Sequence, residues 1–162
     1  MGDANEDREK AAKLPEGDLV RILLTQHAEV KDMLDQIEEA AGANRKKLFE
    51  QLTTTLKAHE TAEESVVRPV TKETAGPSVA DARNAEEAEA NQVIVALSAL
   101  EVDSAQFDDQ LEQFKQAVSE HAEAEETQEF PTIQSGRTAA ERKELGEQFL
   151  ARFEAAGGKV ST

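Results

Sequence analysis

The sequence predicts an all-α fold, an up-down-up-down four-helix bundle with an additional short C-terminal helix. Three observations carry this. Ala, Glu, Leu, Gln and Lys abound while aromatics are limited to six Phe, with no Trp and no Tyr, a mixture that favours helix over sheet. Apolar residues recur at steps of three and four in four successive stretches, the period of helices that each bury one face. The breaks between these stretches are short, and rods joined by short loops pack antiparallel around a shared axis.

Residues 1–17, polar and acidic in MGDANEDREK, read as a flexible, frayed lead-in. Asp18 can cap the first rod, which carries Leu19, Leu23, Val30, Leu34 and Ile37 before Gly42 ends it. The second opens near Asn44, with Arg45-Lys46-Lys47 as a surface cluster at its start. It sets Leu48, Leu52, Leu56 and Val66 on one face and closes before Pro69, which cannot donate to a continuing helix. Gly76-Pro77 marks a loop. Ser78 with Asp81 three residues on resembles a capping box for a third rod through Ala90, Ile94 and Leu97 to about Glu101. Asp103 or Ser104 starts the fourth, whose face runs Phe107, Leu111, Phe114 and Val118 until Phe130-Pro131 stops it. Thr138 and Glu141 cap a last helix with Leu145, Phe149 and Phe153, expected to dock outside the bundle. The expected organisation is a lead-in at 1–17, a bundle over 18–132, and a C-terminal helix and tail over 133–162 packed on it.

Lys and Arg number 18 against 34 for Asp and Glu, a net charge of 18 − 34 = −16, which repels phosphate backbones and anionic lipid alike. Nucleic acid and membrane are therefore not expected as partners. No apolar run serves as a signal peptide or membrane span, so a cytoplasmic monomer is the default expectation. The absence of cysteine excludes disulfides and thiolate chemistry, leaving histidine and carboxylate as the strong metal ligands.

The chemistry lies in an internal repeat. His59-Glu60-Thr61-Ala62-Glu63-Glu64 has Pro69 ten positions after its histidine, and His121-Ala122-Glu123-Ala124-Glu125-Glu126 has Pro131 ten positions after. Nearly the same shift superposes His27-Ala28-Glu29-Val30 on Glu87-Ala88-Glu89-Ala90, so the chain reads as a duplicated helical hairpin. Each of these groups interrupts an apolar stripe: His59 and Glu63 follow Leu56, His121 and Glu125 follow Val118, and His27 lies between Leu23 and Val30. A lone histidine on such a face is commonly a satisfied core residue, but three at matching places with three carboxylates are another matter. Burying them together costs several kcal/mol per ionised group, on the order of a domain's whole stability, and a cation resolves that conflict.

Residues four apart share one helix face, so an imidazole and a carboxylate can grip one ion or flank a pair. His27, His59, Glu63, Glu87, His121 and Glu125 are the candidate metal ligands, with Glu86 as the substitute for Glu87 if the third rod is rotated by half a turn. Glu64 and Glu126 are expected in the outer sphere or in solvent. Nitrogen with carboxylate oxygen suits iron or manganese, and zinc less, since six ligands exceed one tetrahedral ion's needs. With Glu63 and Glu125 bridging, the protein supplies about 8 donor bonds toward the roughly 12 of two octahedral ions.

At these residues the sequence resembles the hemerythrin-like, or HHE cation-binding, family, over roughly residues 18 to 132. The resemblance implies a four-helix bundle with two iron ions joined by an oxo or hydroxo bridge, and roles in binding or sensing dioxygen, handling iron, responding to nitric oxide or turning over peroxide. Glu87 stands where the family usually has histidine. A centre richer in carboxylate stabilises the ferric state and favours catalase-like peroxide chemistry over release of intact dioxygen. The competing expectations are an iron store or a sensor without turnover, and a metal-free bundle whose inward His and Glu pair among themselves.

Overall fold

A computed structural model describes residues 3–160, and among them every regular element is helical. In chain order these are α1 (Ala4–Ala12), α2 (Leu19–Glu39), α3 (Gly42–Ala62), α4 (Arg68–Thr74), α5 (Pro77–Ser98), α6 (Ala105–Ala124), α7 (Phe130–Gly136) and α8 (Ala139–Ala155), with π-helical turns at Glu63–Val67 and Glu125–Glu129. No helix among the described residues is long and apolar enough to cross a membrane.

The expected lead-in is largely a helix. Asp3 caps α1 by accepting from the Glu6 N–H, and α1 lies along α2 with Ala11 and Asp7 buried. Its hold is polar: Lys31 Nζ donates to Asp7 at 2.6 Å. A segment held by ion pairs and a single buried alanine shows no apolar stripe, which is why its pattern resembles a frayed end.

Neither proline stops its rod. α3, the first π turn and α4 are contiguous, as are α6, the second π turn and α7. The Arg68 N–H reaches back to the Glu63 carbonyl, and the Phe130 N–H to the Glu125 carbonyl, five residues away in each case. This widening puts Pro69 and Pro131 in the first turn of the next helix, where the missing N–H has no intrahelical partner to lose. The capping box expected at Ser78 is likewise absent. Gly76, at φ +108, precedes Pro77, which opens α5 without a side-chain cap. Thr138 and Glu141 do form a capping box at α8.

Arg45 leaves the expected surface cluster and is buried. Its guanidinium donates to the Ile37 and Val102 carbonyls and lies 5.0 Å over the Phe107 ring. Lys46 and Lys47 remain exposed.

Two apolar clusters form the core. One gathers Val30, Leu34, Leu52, Leu97, Phe107 and Phe114, and the other Leu23, Val67, Phe130, Ile133, Phe149 and Phe153. α8 thus completes the second cluster with both its phenylalanines fully buried, rather than docking outside. Arg142 ties it to the cap of α2 through Asp18 at 2.8 Å. Between the clusters, at the level of His27 in α2 and His59 in α3, the chain buries polar groups.

Candidate metal centre

The second rod turns His59 and Glu63 inward one helical turn apart, the fourth does the same with His121 and Glu125, and α2 and α5 add His27 and Glu87. Five of the six are buried, and His121 is half-buried. Their ligand atoms fall into two overlapping groups, each within 4.8 Å: His27, His59, Glu63 and Glu125, and Glu63, Glu87, His121 and Glu125. Glu63 and Glu125 are common to both.

Each imidazole is oriented by the nitrogen facing away from the centre. Nδ1 of His59 bonds to Oε1 of Gln26 at 2.7 Å, that of His27 to Glu126 at 2.9 Å, and that of His121 to Glu86 at 2.7 Å. Since all three partners are oxygen acceptors, Nδ1–H donates in each ring, which leaves Nε2 as the nitrogen turned toward the centre. There it faces more acceptors: His59 Nε2 lies 2.8 Å from Glu63 Oε1, while His27 and His121 Nε2 lie 3.2 and 3.3 Å from Glu125 Oε1. Nε2 of His27 and His121, both oxygens of Glu63, Oε2 of Glu87 and Oε1 of Glu125 make no hydrogen bond at all. Buried polar atoms without hydrogen-bond partners are costly, and this donor set of nitrogen and carboxylate oxygen fits a cation. Glu86, the alternative to Glu87, is the outer partner of His121. Glu126 is likewise an outer partner and Glu64 is exposed, as the sequence suggested.

Comparison with known families matches the Hemerythrin HHE cation binding domain to residues 18–133. The chain belongs to that family. Neither curated proteins nor solved structures gave a match. All of α1 and all of α8 lie outside the matched span, yet both reach the centre of this hemerythrin-like domain. Lys10 of α1 approaches Glu126 at 3.3 Å, and the Phe149 ring of α8 meets His59 edge-on at 6.0 Å.

One residue of the centre went unread in the sequence. Arg68, fully buried, sends Nη2 to Glu87 at 2.5 Å and Glu125 at 3.1 Å, Nη1 to Glu129 at 3.1 Å, and Nε to Asn84 at 3.1 Å. The repeat holds the missed signal. Arg68 and Phe130 both precede the motif's proline, and Phe130 is a core residue, so Arg68 had to point inward too.

The electrostatics follow from this packing. Burial disfavours the His27 imidazolium, but Glu125 and Glu126 outweigh it and raise His27 to about 9. Burial and the charge of His27 lower His59 to about 3. Glu63 is pushed well up by burial and by Glu125, against the pull of Arg68, and burial takes Glu87 to about 9 despite Arg68. Burial also opposes ionisation of Glu125, but His121, the adjoining Glu63 and His27 side chains, and Arg68 together hold it well below the usual range.

Proposed function

We propose that this chain is a non-haem di-iron protein that binds or reacts with dioxygen, peroxide or nitric oxide, with peroxide turnover as its leading activity. The observation carrying this reading is the pair of overlapping donor groups that share Glu63 and Glu125. Such sharing suits two ions side by side, held by His27 and His59 on one flank and by Glu87 and His121 on the other, in an up-down-up-down arrangement of the long rods. Bound iron would supply one-electron redox changes and an exchangeable coordination position.

The chain's own residues support that chemistry. Gln26, Glu126 and Glu86 fix the imidazoles, while Phe130, stacked on His27 at 5.7 Å, and Phe149 keep water from their far sides. A cavity of about 330 Å³ leads to the centre past Val30, Leu56, Val93, Phe114 and Val118. A single water needs only about 10–15 Å³, so the cavity has room for small oxidants. Glu60 lines the same cavity, and burial pushes its carboxyl up to about 7. It can therefore give or take a proton near neutrality.

Anaerobic loading with ferrous iron should yield about two irons per chain, and peroxide should then be consumed catalytically with oxygen evolved. Failure to take up iron removes the proposal. A second reading, an iron store or sensor, has its own support: the cavity is flanked by Glu86, Glu89 and Glu120, acids that attract incoming cations. Iron uptake without peroxide turnover would select it.

A further inference from the structure

We infer that Arg68 makes the two cation positions unequal, so that the group of His27, His59, Glu63 and Glu125 fills first and the group containing Glu87 and His121 fills weakly. The inference rests on the metal-binding reading above and concerns what this chain adds to it.

Arg68 grips specific oxygens. It holds Oε1 of Glu87 and Oε2 of Glu125, and the oxygens left without a hydrogen bond are the other two, Glu87 Oε2 and Glu125 Oε1. Glu63 keeps both oxygens unbonded, with Arg68 no nearer than 3.8 Å. Glu87 belongs only to the second group and lies closest to the guanidinium, so a cation there faces a fixed positive charge across a single carboxylate. Arginine cannot relieve this by losing its proton. Nor can it withdraw, because Glu129 and Asn84 hold its other nitrogens, and Glu129 is itself fixed by Thr71 at 2.6 Å.

The repeat explains why a cation stands there. His27 is an Nδ1–H donor, and its outer partner is Glu126. In the other half the corresponding positions are Glu87 and Glu64. Glu64 stays exposed, and the side chain at 87 accepts from Arg68 instead. Three carboxylates and one imidazole would otherwise make the second group the stronger one for a hard divalent ion. Arg68 reverses that order.

Anaerobic titration of the full chain with cobalt(II), followed by calorimetry and visible absorption, tests this. Two steps separated by more than about tenfold in affinity are expected. The tight step should vanish in His59→Ala and survive in His121→Ala. Arg68→Met should bring the two affinities within about threefold. Glu129→Gln keeps the guanidinium but removes a neutralising charge, and should widen the gap if Arg68→Met does not fold. Two ions of equal affinity in the unaltered chain, or a tight step that depends on His121 and not on His59, would overturn the inference while leaving metal binding intact. No cobalt binding at all would overturn both.

Discussion

Five residues past the shared glutamate, the first half of the repeat places Arg68 and the second places Phe130. The backbone beneath them is the same, a π turn closed on the glutamate carbonyl and followed by proline. Arg68 reaches into the carboxylates, whereas Phe130 stacks on His27. The outer partners diverge in parallel: His59 leans on the neutral amide of Gln26, and His121 on the carboxylate of Glu86. The two halves share the geometry that turns these side chains inward and differ in the charge set around them.

The largest effect expected concerns the diverged position itself. In metal-free protein, Arg68→Ala leaves Glu87 and Glu129 buried without their cation and should lower stability by about 3–5 kcal/mol. Phe130→Ala should cost a similar ~3–5 kcal/mol by opening a cavity. Urea unfolding with a chelator and then with excess divalent metal separates them, because only the Arg68→Ala deficit should shrink when metal is added. If both respond alike, the contrast between the halves is broken.

Next come the protons held in the two halves. In the metal-free centre His27 and Glu87 are both raised to about 9, and Glu63 lies well above the carboxylate range. All three hold protons at neutrality that a cation must displace. Affinity should therefore rise with pH through neutrality, by about tenfold per pH unit for each proton displaced, and level off above about 9. Proton release on metal addition in weak buffer gives the count, and a pH-independent affinity would contradict it.

The outer partners should matter less. Gln26→Leu and Glu86→Leu are each expected to weaken metal binding by about 10–100-fold, with Gln26→Leu acting on the tight step and Glu86→Leu on the weak one. Smallest of all, Glu64→Ala should change stability by no more than about 0.5 kcal/mol, while Glu126→Ala, which strips His27 of its acceptor, should impair the tight step. Equal effects at 64 and 126 would show the halves to be more alike than their contacts indicate.

The helical class, the stripes and the six inward residues were legible because each depends on periodicity within one rod. Glu87 was separable from Glu86 only through the rotation of α5, which spacing alone leaves open by half a turn. Arg68 was hidden because a charged residue beside proline reads as a helix end. The π turn that carries the rod onward is a matter of backbone hydrogen bonding, which side-chain pattern does not encode. α1 was missed for a related reason, since its burial rests on Asp7 and Lys31 across a tertiary contact.

The division of the apolar core by a polar layer bears on how long the chain survives. Each end is closed by its own hydrocarbon, and the seam between them, built of acids and imidazoles, holds buried polar atoms without partners that a bound ion would satisfy. A metal-starved chain would open along that seam far more often than a filled one. Proteases sample such openings, so its abundance would rise and fall with the supply of the ion it holds.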